Sequence, residues 1–154
     1  MEKNQLFWNF AIQLEQFCSY QERCLFDVNL RMTKLEIPDN LQEALIDHLL
    51  EEGFFSDLRY AQSFTRGKFN SRKWGKRKIL NALKIKRIKD HIIYESFAEI
   101  QDEEYLNVLQ KLMNKKTEDL GGIKDLKSKK KLVSFLLQRG FESHLIWELL
   151  NQEN

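Results

Sequence analysis

Three kinds of residue in this chain are candidates for chemistry: histidines, clustered carboxylates and runs of lysine and arginine. His48, His91 and His144 lie far apart. No H-E-x-x-H pairing sets two of them on one helix face as a zinc site would require. Asp102-Glu103-Glu104 is a dense acidic run. At a helix start such residues complement the positive end of the macrodipole, and no other acids accompany them as a metal-dependent nuclease would need. Neither G-x-x-x-x-G-K-[ST] nor G-x-G-x-x-G occurs, so no phosphate-cradling loop is expected. Cys18 and Cys24 are the only cysteines, six residues apart and not in a C-x-x-C arrangement. They read as buried free thiols. The chain is therefore expected to be non-catalytic and to hold no cofactor or metal.

The cations are another matter. Residues 1–52 carry four Lys and Arg against ten Asp and Glu, residues 53–100 twelve against four, and residues 101–154 nine against nine. A net charge of only +2 thus hides a basic middle third, of the kind that attracts phosphate or an acidic protein surface. At about 100° per residue, Lys76, Arg77, Lys84 and Arg87 share one arc of a helix, and Lys73 joins them if the helix starts early. Ile79 and Leu83 fall on another face, while Leu80 interrupts the basic arc. This face either contacts DNA phosphates or an acidic protein, or is a solvated face balanced by the acidic first third. The like charges repel one another without a partner, which favours contact. Arg59, early in its helix, pairs with Asp57 or reaches a partner. Arg66 and Lys68 flank Gly67 and either cap a helix or bind. Lys127, Lys129, Lys130 and Lys131 form a second cluster that extends the basic surface or is simply exposed. Trp74 can stack on a base, but at a helix start it more often anchors two helices, and that is the favoured reading. Trp8 and Trp147 read as core or cap residues.

These side chains need a scaffold, and the sequence describes a repetitive one. At an offset of 53, Ile79, Leu83, Ile88, Ile92, Ile93 and Phe97 fall on Leu132, Leu136, Phe141, Leu145, Ile146 and Leu150. At an offset of 51, Val28, Met32, Ile37, Leu41 and Ile46 fall on Ile79, Leu83, Ile88, Ile92 and Phe97. Each unit reads as three helices. In the middle one, Ser56 is the N-cap, and Leu58, Ala61 and Phe64 follow every three residues. The first helix is expected to fray near Gly67, the second to begin at Ser71 or Arg72, and Asp90 to cap the third. In the first unit the marks are Phe10, Leu14 and Phe17, then Val28 and Met32, then Leu45 and Leu49, with Pro38 in the first turn of the third helix. In the last they are Leu106, Leu109 and Met113, then Leu132 and Leu136, then Ile146 and Leu150. Gly53 and Gly140 stand where helices stop in a left-handed residue, and Lys115 to Lys127 reads as the main loop. Single proline, abundant Leu, Lys and Glu, and no alternation at period two exclude a sheet. The expected fold is all-α, an elongated array of three tandem three-helix repeats, at 1–53, 54–100 and 101–154, forming a single domain. No apolar run is long enough to span a bilayer and no secretory leader is legible, so a cytosolic protein is expected.

The stretch from Glu52 to Ile88 carries a resemblance. Gly53-Phe54-Phe55-Ser56-Asp57 is followed by Arg59-Tyr60-Ala61 and Phe64, then by Trp74-Gly75 with Lys78-Ile79 and Leu83, and later by Arg139-Gly140-Phe141. In this order the pieces resemble the RecX family. Ser19 to Cys24, with Gln21-Glu22-Arg23, is similar to that family's first helix junction. The likeness covers almost the whole chain and is strongest over residues 50–90. One departure is Arg87, where the family's middle repeat usually has glycine. Either a left-handed Arg is held at a cost of roughly 1 kcal/mol or more, or the turn differs, or Lys86 to Lys89 extend the helix.

The resemblance implies three tandem three-helix repeats and a partner, the RecA–DNA filament, in whose groove such proteins lie and whose growth they commonly block, though some members act positively. It implies a RecA or DNA contact set drawn from the cations above: Arg59, Arg66, Lys68, Lys73, Lys76, Arg77, Lys84, Arg87, Lys129 and Lys130. The rival from another class is a stand-alone single-stranded-DNA-binding module that acts by competing for DNA. A monomer is expected, and no membrane partner.

Overall fold

The computed structural model describes residues 2–152. Met1, Glu153 and Asn154, which the outer repeat limits include, lie outside the described residues. All regular structure among the described residues is helical. In order it comprises α1 (Glu2–Tyr20), α2 (Leu25–Lys34), α3 (Asp39–Glu51), α4 (Asp57–Arg72), α5 (Lys76–Ile85), α6 (Asp90–Ser96) with a 3-10 turn (Phe97–Glu99), α7 (Asp102–Asp119), α8 (Leu126–Gln138) and α9 (Ser143–Gln152). In the first unit α1 packs on α2 and α3. In the second α4 packs on α5 and α6, and in the third α8 packs on α7 and α9.

The second helix of every unit ends in the same way. Leu35, Lys86 and Arg139 are the last half-helical residues. Glu36, Arg87 and Gly140 follow with φ of +55°, +59° and +98°. The next residues, Ile37, Ile88 and Phe141, are buried. Their N–H groups donate back to Met32, Leu83 and Leu136 at 3.1, 3.3 and 3.2 Å. The left-handed residue donates in turn to Thr33, Lys84 and Leu137. This double closure satisfies two orphan carbonyls and tucks an apolar residue against the last turn. It resolves the open question at Arg87, which keeps the left-handed conformation while the helix stops at Ile85. Burial of Ile88 and the two backbone bonds outweigh the steric cost.

Core positions follow the repeat. Val28, Met32, Ile79, Leu83, Leu132 and Leu136 are all essentially inaccessible, as are Leu45, Leu49, Ile93, Ile146, Leu109 and Met113. Two clusters result. One is centred on the first unit, from Ala11 to Leu49, with Phe55 of the second unit reaching into it, and the other joins the second and third units from Ala61 to Leu150, with Cys24 reaching into it. The described surface is 10065 Å², against about 8,200 Å² for a compact monomer of this mass. The excess is that of an elongated array. No described helix is long and apolar enough to cross a membrane.

Several local expectations are corrected. α4 does not fray at Gly67 but continues to Arg72. A lone helical glycine costs only about 1 kcal/mol, and buried Thr65 and Phe69 hold the turns on either side. The next helix begins at Lys76, not Ser71 or Arg72, because Lys73 turns left-handed at φ +56°. Lys89 occupies the N-cap of α6 and Asp90 is its first residue. Pro38 sits at the N-cap of α3, one residue before its first turn. α7 runs to Asp119, so the loop before α8 is much shorter than Lys115 to Lys127. Tyr105, not Leu106, takes the buried position there, and Leu106 is 39% exposed. Trp8 and Trp147 are 50% and 40% exposed rather than core. Each lies on an outer helix, where only one side of the helix has a neighbour to pack on.

Candidate partner-binding surface

The surface of α5 is set by how its N-terminus is held. Gly75 caps it, and its N–H donates to the Arg139 carbonyl at 2.7 Å. The Arg77 N–H donates to Gly140 at 2.9 Å, and the Lys76 N–H to the Tyr105 hydroxyl at 2.9 Å. The first amides of α5 are thus satisfied by the C-terminal end of α8 and by α7, which brings opposite helix poles together. Tyr105 donates its own proton to Glu142. Burial, reinforced by that bond, raises the phenol pKa far above its ordinary value, so it remains a donor. Gly75 and Gly140 approach so closely that a Cβ on Gly75 would stand 2.3 Å from the Gly140 carbonyl carbon.

The other junction, between the first and second units, is built from side chains. Leu25 donates its N–H to Asp57 at 2.8 Å, Arg59 pairs with Glu22 at 2.9 Å, and Lys86 donates to Asp27 at 2.6 Å. Burial, the largest single influence, depresses the Lys86 ammonium, but the Asp27 bond together with the charges of Asp27, Tyr60 and Cys24 outweighs it and the pKa is raised. Beside these ties Leu25, Phe26, Leu30, Lys86 and Arg87 line a cleft of about 430 Å³. Cys18 and Cys24 are buried free thiols, both pushed by burial up to about 11.

The sequence-derived cations are distributed unevenly over this frame. Arg77 and Lys84, seven residues apart, lie on the same exposed side of α5, and Lys84 is 3.7 Å from Asp90. Among the described residues the Arg77 side chain has no ion-pair partner within 4 Å. Lys76 is only half-exposed, its ammonium 4.6 Å from the Tyr105 ring centroid. Arg87 leans over Phe26 at 5.8 Å. Lys73 does not join α5 but ends α4. Arg59 pairs with Glu22, not Asp57, and Arg66 pairs with Glu99. Both therefore tie elements together. Lys68 and Lys78 hold their ammonium groups 4.9 and 4.6 Å from the Trp74 ring centroid, while Phe64 meets the indole edge-on at 6.2 Å. Trp74 is packed against the core in this way, as an anchor. Lys129 and Lys130 point to different sides of α8. The first lies over Trp147 at 5.3 Å, and the second lines a cleft toward α7.

Sequence reasoning missed Lys86 and the pair Lys115–Lys116. Lys86 lies one residue past the helix end, outside the arc used to collect cations. Lys115 and Lys116 fall within the stretch whose glycines suggest a loop, although the helical spacing of Leu109 and Met113 continues through Leu112 to Lys116. No described group of three or more His, Cys, Asp or Glu is placed to hold a metal ion. His48 is 3.5 Å from Glu15, and His91 and His144 are exposed.

Comparison with known proteins follows the same division of the chain. Residues 56–96 match the model of the second three-helix domain of RecX, and residues 102–150 that of the third. The regulatory protein RecX of Lactobacillus gasseri is 29% identical over 147 residues, covering 93% of this chain and 54% of that protein. That of Clostridium acetobutylicum is 30% identical, covering 82% and 60%. That of Vibrio vulnificus is 27% identical, covering 90% and 88%. The chain spans about half the length of the curated Lactobacillus relatives it matches. The crystal structure of RecX from Lactobacillus salivarius superposes with a TM-score of 0.86 at 21% identity, covering 95% of both chains.

Proposed function

The chain belongs to the RecX family, and on that premise we propose that it is a non-catalytic regulator that binds the RecA–DNA filament in the cytoplasm and restrains it during recombination and repair. The observation that carries this reading is the tandem match of two successive RecX three-helix domains to residues 56–96 and 102–150. The three units act as one domain and as a monomer. Their elongated surface suits a partner that is itself a repeating polymer, because a long array can bridge neighbouring protomers where a compact domain touches one.

Within that surface, Arg77 and Lys84 are the cations best placed to meet an acidic protomer or a phosphate. Both are exposed on the same side of α5. The helix beneath them is fixed by backbone bonds to the third unit. A guanidinium carried on a rigid helix loses little freedom on binding. Arg59 contributes by tying the first unit to the second through Glu22, and Arg66 by tying α4 to the 3-10 turn within the second unit through Glu99.

The test is RecA ATP hydrolysis on single-stranded DNA, with this protein far below RecA in concentration and DNA in excess. Inhibition is expected at a small ratio to RecA, since capping or severing a filament needs few molecules. Lys76→Glu/Arg77→Glu/Lys84→Glu should weaken it at least tenfold with helical content intact. If inhibition appears only when DNA is limiting, the protein acts by competing for DNA, and the filament reading fails.

A further inference from the structure

A second cationic surface lies between α7 and α8, away from the side of α5 just described. Lys116, Lys127, Lys130 and Lys131 line an open cleft of about 460 Å³, with Phe135 in its wall. A recess of about 160 Å³ shares Lys116 and Phe135 and adds Lys115 and Arg139. Asp119 is the only acid in the two linings. Among the described residues none of these five lysines has an ion-pair partner within 4 Å. Lys116 rests its ammonium 4.9 Å from the Phe135 ring centroid, which fixes it at the seam of the two hollows. Arg139 donates one amino group to the Arg72 carbonyl at 2.6 Å and keeps its Nε buried without a partner.

Folding alone does not favour this arrangement. The first turns of α8 carry Lys127, Lys129, Lys130 and Lys131 against a single acid, the N-cap Asp125, although cations there oppose the helix dipole. Adjacent ammonium groups repel one another as well. An anion in the cleft relieves both costs at once. Its chemistry follows from the lining. Lysines dominate it, and an ammonium meets a phosphate oxygen as a point charge that demands no fixed planar geometry, which suits a flexible phosphodiester chain. Along α8, Lys127, Lys130 and Lys131 crowd the first turns and Arg139 lies twelve residues on from Lys127, about 18 Å along the axis, a spread of charge suited to a polymer.

We propose that the α7–α8 cleft of the third unit binds the phosphodiester backbone of single-stranded nucleic acid through Lys115, Lys116, Lys127, Lys130, Lys131 and Arg139. It deepens the filament reading by giving the DNA strand a seat on the third unit, and rests on that reading only for its biological setting, since binding itself needs no RecA.

The experiment is fluorescence anisotropy of a labelled oligothymidylate with the full chain, over a series of salt concentrations and without RecA. Lys127→Gln/Lys130→Gln/Lys131→Gln should lower affinity about tenfold or more and reduce the slope of log K against log salt by about 2, at about 0.7 per lost phosphate contact. The corresponding triple arginine variant should restore both. If the glutamine variant loses helical content, Lys130→Gln alone is read instead, with an expected slope change of about 0.7. No oligonucleotide binding by the wild type, an unchanged slope in the variants, or tighter binding of a duplex of equal length overturns the proposal. So does equal affinity for polyglutamate, which would give the cleft to an acidic protein. RecA ATPase inhibition is scored separately, so the filament reading and the cleft can fail independently.

Discussion

Two glycines and one phenol decide how the second and third units meet. At Gly75 φ is −76°, a value any residue adopts, so its need for glycine is one of space alone. An added Cβ would stand 2.3–2.4 Å from the Gly140 and Phe141 backbone. Backbone cannot move aside as a flexible side chain can. Gly75→Ala is therefore expected to destabilise the protein by about 3 kcal/mol or more, at the strong end of single substitutions. Equilibrium urea unfolding checks this. A cost below about 1 kcal/mol would mean that the junction relaxes without loss. Gly140 answers to both causes, since it combines φ of +98° with Lys78 at 2.4 Å from an added Cβ. Tyr105 supplies the acceptor for the Lys76 amide, and no backbone carbonyl takes that place.

At the scale of the element, α4 runs through a glycine. Gly67 is exposed, has ordinary helical backbone, and an added Cβ there meets nothing within 4 Å. Alanine loses less conformational entropy on helix formation. Gly67→Ala should raise stability by about 0.5–1 kcal/mol, read as a higher urea midpoint with unchanged slope. A fall in the midpoint would show that this turn is not helical in solution. The same helix explains an error of expectation. Glycine between Arg66 and Lys68 reads as a stop signal when only local propensity is considered. The buried Thr65 hydroxyl, 3.0 Å from Ser96 on α6, and buried Phe69 show what overrides it. The opposite case is Lys73, where nothing in the residue type announces a left-handed turn. The break is demanded by the position of Gly75 against Gly140, sixty-odd residues away in sequence.

Across the whole molecule the two junctions differ in kind. The second and third units share one apolar cluster and backbone hydrogen bonds, whereas the first keeps its own cluster, sends only Cys24 and Phe26 onto the other, and is otherwise joined by Glu22–Arg59, Asp27–Lys86 and Asp57. Ion pairs near the surface weaken with salt and contribute little individually. Amides of α2 and α3 should therefore exchange hydrogen through a lower-energy opening than those of α5 and α8, as independent cooperative units do. Asp27→Asn, which removes the charge facing Lys86, should widen the gap. Hydrogen exchange followed segment by segment checks this, and identical opening energies in all three units would refute a separable first unit. A first unit that opens on its own would leave the second and third units as one rigid body.

Amphipathic spacing was enough to show three units of three helices and most of their core positions, because burial at period 3.6 and recurrence near 51–53 residues are properties of the chain itself, and glycine marked the left-handed stops at Gly53 and Gly140, whereas those at Glu36 and Arg87 carry no such mark. Charge was legible in the same way as a basic middle third. What could not be read was which cations remain available. Arg59 and Arg66 look like surface ligands until Glu22 and Glu99, from thirty-odd residues away, are folded against them. Lys115 and Lys116 look like loop residues until α7 is carried past them onto α8. Helix spacing is a local property and survives in one dimension, whereas whether a charge is paired, stacked or free depends on contacts that only the packed tertiary structure supplies.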